Sequence, residues 1–420
     1  MEIISQLLHE IPLPKMMRVK QVFHAPVLED TAEEVRKTLK DTGLLSRISP
    51  GDRVAIAVGS RGVADLPILV RETAAAVESV GGSPFIVPAM GSHGGATAEG
   101  QQEVLEQLGV TEASTGAPIL SSMEVVQTGT LPNGLPVYTD KHAYEADKVI
   151  VINRIKPHTA FRGPVESGLM KMITIGLGKQ KGAEAAHAYS FKHMAEHVPE
   201  MAKIVLSKVP VIFGLGTIEN AYDRPAKIVA VPAEELEQTE PGLLLEAKQL
   251  MPKIMFDPID VLIVDEIGKD ISGDGMDPNI TGRYATPYAF GGPKVSRIAV
   301  LGLTEKTHGN ANGIGMADMT TRALVDSIHW EKGYANALTS TVINVIKVPM
   351  VLESEEMAIQ AAIKTCNAYD LTKARVVRIK NTLELEHIWI SESLMEEAAG
   401  QKEIEVLTEP AAMNIAGEKG

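Results

Sequence analysis

The stretch GLMKMITIGLGKQKGAEAAH, residues 168–187, sets a lysine inside an apolar run and a histidine 16 positions later (187 − 171). An ammonium group is costly to bury unless it is paired or covalently used. Lys171 therefore reads either as a side chain that snorkels from a helix to water or as the attachment point of a cofactor. Two more histidines stand in loops. His93 lies in GSHGG, a turn that glycines leave open, and His158 lies in IKPHTAF, stiffened by Pro157 and flanked by Arg154 and Lys156. Each is either a solvated turn residue or an acid/base group, a role that an unperturbed pKa near 6.5 suits. Arg61 in GSRGVADLP is either a loop charge or a fork of donors for a carboxylate.

Three weaker patterns accompany these residues. Gly176-x-Gly178-x-x-x-Gly182 does not have dinucleotide-fingerprint spacing, and it reads either as a glycine-rich turn or as a phosphate seat at a helix N-terminus. HMAEH fits the inverted zinc-peptidase helix, with His193 and His197 on one face and Glu196 between them. Two surface histidines on an amphipathic helix are the other reading. GKDISGDGMDPNITGR gathers Lys269, Asp270, Asp274, Asp277 and Arg283 among glycines. It is not an EF-hand loop. It reads as a loop over a substrate cleft, with Lys269 and Arg283 as candidate substrate-binding cations.

Elements with a parallel-sheet pattern must position these loops. RVAIAV (53–58), PFIVPA (84–89), KVIVIN (148–153), VPVIFGLG (209–216) and KIVAVPA (227–233) read as strands. Helical patterns cover 66–81, 97–109 and 183–207, the last with a kink expected at Pro199. Beyond Pro258, strands are expected at 259–268, 296–303, 374–380 and 387–391, and helices at 316–329 and 354–366. Strand–helix alternation predicts α/β architecture with largely parallel sheets. The expected domains are 1–252, carrying the lysine and the histidines, and 253–420, closing an active-site cleft between the two. The last residues, EPAAMNIAGEKG, are expected to fray or to dock weakly.

Composition narrows the partners. A net charge of −14 argues against nucleic acid or an anionic membrane as ligand. The cations gathered at strand-end loops argue instead for a small anion. The single cysteine, Cys366, allows no intramolecular disulfide and no cysteine-rich metal site. There is no long apolar run, and the N-terminus does not resemble a signal peptide, so a cytoplasmic location is expected.

Taken together, GSRGVADLP, MGSHGGATAEG, IKPHTAFRG and ESGLMKMITIGLGKQKGAEAAH resemble the nickel-pincer-dependent lactate racemase (LarA) family. The last piece is the most specific, because it pairs residue types at a fixed spacing. The resemblance implies a racemase or epimerase of a 2-hydroxy acid, made competent by cofactor-biosynthesis proteins. It implies a nickel-pincer nucleotide, a pyridinium-3-thioamide-5-thiocarboxylic acid mononucleotide joined to Lys171, with Gly176 and Gly178 beside it. Nickel would be held by the pincer's carbon and two sulfurs, with His187 as its fourth ligand. His93 and His158 would be the acid/base pair, and Arg61 would hold the substrate. The lactate enzymes carry a glycine-glycine-arginine-lysine run where this chain has ESGLMK, so a 2-hydroxy acid is implied rather than lactate itself.

Such chemistry suits these residue types. Removing hydride from C2 avoids a poorly stabilised carbanion, and a planar keto acid can take hydride back on its other face. Interconverting mirror images calls for a base on each side. Two other classes compete with this reading: a zinc hydrolase using His193, Glu196 and His197, and a non-catalytic binder of small anions.

Overall fold

The computed structural model describes residues 2–60 and 62–415. It is an α/β structure of two compact units. One is Ala25–Met251; the other joins the residues up to His24 with those from Pro252 onward. The expected first domain therefore loses its opening stretch. The strand Met16–Gln21 pairs antiparallel with both His387–Ser391 and Ile404–Val406, which fixes it in the second unit's sheet.

In the first unit, β1 (Arg53–Val58), β2 (Ser83–Pro88), β3 (Lys148–Arg154), β4 (Val211–Glu219) and β5 (Pro225–Pro232) form one sheet. Their order is β2–β1–β3–β4–β5, parallel except for β4 against β5. The central strands are nearly continuous apolar runs because helices cover both faces. The core on one side of the sheet packs Val54, Ile56, Ile150 and Phe213 against Leu66, Leu69 and Val77 of α1 (Leu66–Ser79), and α2 (Ala98–Gln107) follows β2. With so few aromatic residues, aliphatic side chains fill it.

The chain leaves β1 for β2 on one side and later returns to β3 on the other. Open α/β sheets bind ligands at such a switch point, beyond the strands' C-terminal ends. The loops carrying residues 59–65, 89–97 and 155–168 all leave that edge.

The second unit holds an eight-stranded sheet. Met350–Leu352, Met319–Thr321, Val295–Leu303, Ile259–Ile267 and Val376–Ile379 run parallel, and the remaining strands are antiparallel. The helix expected over 316–329 is instead a short strand, Met319–Thr321, followed by a short helix, Arg322–Asp326. Its residues Met319 and Thr320 pair with Ala299 and Val300, so sheet pairing overrides the local helical pattern. The tail is docked as far as it is described: Arg378 donates to the carbonyls of Asn414 and Ile415, and Met16 exchanges backbone hydrogen bonds with Ala411. No helix among the described residues is long and apolar enough to cross a membrane.

Candidate active site

The Lys171 segment is built from three short pieces. A helical turn, Leu169–Lys171, runs into a π-helical turn, Met172–Gly176, and then into α3 (Lys179–His187). π turns widen a helix by one residue per turn and recur at functional sites. This one is a packing hub. A Cβ on Gly59 would meet Met172 Cε at 2.6 Å, and the Gly91 N–H donates to the Gly176 carbonyl at 3.0 Å. Asn153, at the end of β3, donates to the Gly168 carbonyl at 3.0 Å. The C-terminal ends of three of the four parallel strands, or the residues just beyond them, thus converge on the segment that carries Lys171.

The glycines expected beside a cofactor have a packing role. A Cβ on Gly176 would meet Met172 Sδ at 2.5 Å and the Ala89 carbonyl at 2.7 Å; one on Gly178 would meet the Thr174 carbonyl at 2.5 Å. Protein atoms fill both positions, so these contacts account for glycine without a phosphate.

His158 and His187 both pack on the buried ring of Phe191, with ring centroids 5.5 Å and 5.2 Å away. Lys171 is close enough that its charge acts on both. Burial pushes the His158 pKa well below the usual imidazole value, and Lys171 and then His187 push the same way. Burial likewise lowers His187, opposed by its hydrogen bond to Ala183 and reinforced by Lys171. Both rings are therefore neutral near pH 7.

Backbone groups select opposite tautomers. The Ala160 N–H donates to His158 Nδ1 at 3.0 Å, which leaves the proton on Nε2. His187 Nδ1 lies 2.7 Å from the Ala183 carbonyl, an acceptor only, so Nδ1 carries the proton and Nε2 keeps its lone pair. A histidine fixed by a carbonyl on one nitrogen and open on the other is the usual form of a metal ligand.

Buried carboxylates hold these pieces from behind. Glu166 accepts from the His158 backbone N–H at 2.8 Å, from Arg162 at 3.2 Å and from Lys248 of α5 (Leu236–Leu250) at 2.7 Å. Glu240, also on α5, accepts from the Met170 N–H at 2.9 Å beside Lys171. Burial pushes its carboxyl up to about 7, against its backbone hydrogen bonds. Neither glutamate carries a sequence signal; each sits among polar residues that read as surface.

His93 is exposed, and its Nδ1 shares a hydrogen bond with the Ser60 hydroxyl. Its loop turns at Gly91 and Gly94, with φ of 60° and 65°. Arg61 lies outside the described residues. Its loop is anchored by the Ala64 N–H, which donates to Glu219 Oε1 at 2.8 Å; Glu219 also pairs with Arg154.

The fully buried lysine of the segment is Lys179 rather than Lys171. It has a left-handed φ of 54°, which costs a non-glycine residue roughly 1–2 kcal/mol. Its ammonium lies 3.3 Å from Asp140 Oδ2 and donates to Gln101 Oε1 and the Pro88 carbonyl.

Arg283 is engaged within its own unit: its guanidinium pairs with Asp318 at 2.9 Å and donates to the carbonyls of Met316, Val295 and Ser296. Lys269 donates at 2.6 Å to Gly273 of its own loop. The long helix expected over 183–207 breaks at 188–193, and Pro199 sits inside its second part, α4 (Met194–Leu206), without ending it. The zinc motif is also engaged. His197 is buried, and its Nε2 is 2.9 Å from Asn133 Nδ2, which occupies the lone pair a metal would need. Among the described residues no three His, Cys, Asp or Glu side chains converge on a metal position.

The chain resembles known proteins in sequence profile and in fold. The profile of the lactate racemase N-terminal domain matches residues 5–198. A Thermotoga maritima protein solved by structural genomics aligns with a TM-score of 0.53 at 12% identity, over 84% of this chain and 97% of its own. The lactate racemase apoprotein of Thermoanaerobacterium thermosaccharolyticum aligns with a TM-score of 0.50 at 14% identity, over 87% of this chain and 94% of its own. No curated protein matches the sequence. At such identities the structural likeness establishes the fold, a lactate-racemase-like α/β fold, and the profile match shows that residues 5–198 are similar to the lactate racemase N-terminal domain.

Proposed function

We propose that the chain is a racemase or epimerase of a small 2-hydroxy acid, working with a nickel-pincer nucleotide joined to Lys171. The observation that carries this reading is the pair of tautomers around Lys171. His187 keeps Nε2 open as a donor, while His158 presents Nε2–H. The pincer group brings three of nickel's donors itself, so one protein imidazole is what the chain must add. When bound, the group supplies a hydride acceptor.

The rest of the chemistry belongs to the chain. His93 exchanges the hydroxyl proton, since the Ser60 hydroxyl can rotate to donate or accept and so permits either ring tautomer. His158 begins as a hydrogen-bond donor to the substrate oxygen. To act as a base it must move its proton to Nδ1 and give up the Ala160 N–H. Burial keeps it neutral, which a proton-exchanging group at pH 7 requires. Arg61 is proposed to hold the carboxylate. The loop Lys269–Arg283 is not assigned a substrate contact.

The test is the intact mass of the chain made together with cofactor-synthesis proteins, with peptide mapping of Lys171 and a nickel assay. An adduct on Lys171 with about one nickel per chain is expected. An unmodified Lys171, with the synthesis proteins shown to be active, overturns the proposal. Screening enantiopure 2-hydroxy and aldonic acids with the loaded protein then identifies the substrate.

A further inference from the structure

Lys179 has no part in the chemistry proposed above, yet it combines two costs. It is 0% exposed, and its φ of 54° is one that side chains avoid. Such an outlier persists only where its surroundings over-determine it, and outliers of this kind cluster at functional sites. Lys179 stands midway between the proposed tether and the proposed ligand (179 − 171 = 8; 187 − 179 = 8). The turn at this residue sets the angle at which α3, with His187, leaves the π turn.

Its ammonium points in a second direction. It donates to the Pro88 carbonyl at the end of β2 and, at 2.9 Å, to Gln101 Oε1. The amide of Gln101, itself buried, donates to the carbonyls of Gly91 at 2.8 Å and His93 at 3.2 Å. Asp140 completes the cluster: one carboxylate oxygen caps the Ala143 N–H at 3.0 Å, and the other lies 3.3 Å from the ammonium. An ammonium and a primary amide thus form one relay from the start of α3 to the backbone of the His93 loop. An aliphatic residue at 179 would fill the space but could not donate to either acceptor.

We propose that Lys179, acting through Gln101, is a positioning residue that fixes where His93 stands relative to the Lys171–His187 segment. The catalytic consequence rests on the function proposed above, whereas the positioning itself is measurable in the unloaded chain. Gln101→Glu keeps the acceptor for Lys179 and removes the two N–H donors to the His93 loop. Lys179→Met removes the source of the relay.

The experiment records the imidazole signals of 15N-histidine-labelled protein, with His93 assigned through His93→Asn, and hydrogen exchange at amides 91–96. In Gln101→Glu the His93 ring signals should move while those of His158 stay, and exchange over 91–96 should quicken by about tenfold. In the loaded enzyme kcat should fall about 10²-fold with KM within about threefold, as a misplaced group predicts. If His93 signals and exchange rates in Gln101→Glu coincide with those of the parent chain, the proposal is overturned, whether or not Lys179→Met folds. A missing adduct on Lys171 would instead overturn the function and leave the ring measurement standing.

Discussion

His93 and His158 follow parallel strands on either side of β1 in one sheet, yet the chain holds them by opposite means. The His158 loop is fixed at every point. Its backbone N–H is held by buried Glu166, its Nδ1 by the Ala160 N–H, and its ring lies 4.6 Å from that of Phe161. The His93 loop turns on glycines, its ring is exposed, and the partner of its Nδ1 is a hydroxyl that can reverse its role. One imidazole has its tautomer set by a backbone N–H, and the other meets a hydroxyl that can donate or accept. In the proposed reaction both rings exchange protons, so the two directions should differ in how readily they start.

The strongest test removes each ring in turn. His93→Asn and His158→Asn should each lower kcat for racemisation by about 10²–10⁴-fold, the usual contribution of a positioned acid/base group. Arg283→Met, in the loop whose cation serves its own fold, should leave kcat and KM within about threefold of the parent while costing about 1–3 kcal/mol in denaturant unfolding. A large kinetic effect at Arg283 would return that loop to the substrate site.

Next in size is the support of the locked ring. Glu166→Gln leaves Arg162 and Lys248 facing a neutral amide in a buried setting. Breaking such a network should cost about 3 kcal/mol, whereas substitutions at the exposed His93 should stay within about 0.5 kcal/mol. Equal losses at the two loops would end the contrast.

A third test uses pH. His158 is depressed in the folded chain, so the unfolded chain binds more protons between the folded and unfolded values, and stability rises with pH there. Its contribution is complete above the unfolded value near 6.5 and is lost as pH falls through the depressed folded value. Unfolding midpoints should therefore drop on acidification below about pH 6.5, and His158→Gln should flatten that slope. Glu240 has the opposite sign. Its carboxyl is raised to about 7, so its contribution is complete below about 4.5 and is lost as pH rises through 7. Glu240→Gln should flatten the alkaline side.

The residues proposed to bear the chemistry stood out because they break local rules: a lysine in an apolar run, and His93 in a glycine-rich turn. The strands were legible for the same reason that the sheet is parallel, since burial on both faces makes them continuous apolar runs. What holds the site was not legible. Glu166 and Glu240 look like surface residues until the fold packs α5 behind the site, and Lys179 passed as one more polar residue in a glycine turn. The loop at 268–283 shows the converse limit. Its charges and glycines suggest a substrate loop, while Arg283 meets Asp318 35 positions away (318 − 283), a contact that no local pattern marks. Composition cannot separate a loop that serves a ligand from one that serves itself.

The smallest expected effect bears most directly on the contrast. For a pair of enantiomers at equilibrium kcat/KM must be the same in both directions, but kcat itself need not be. The enantiomer whose proton goes to His158 must first break the Ala160 hydrogen bond, a net cost of about 1 kcal/mol. Its kcat should be lower by about fivefold, with KM lower in proportion. Ser60→Ala takes away the adaptable partner of His93 and should lower kcat for the other enantiomer by about two- to fivefold, with an unchanged melting temperature. The two values of kcat would then approach each other. If Ser60→Ala slows both enantiomers alike, the hydroxyl acts on the whole site and not on one ring's choice of tautomer.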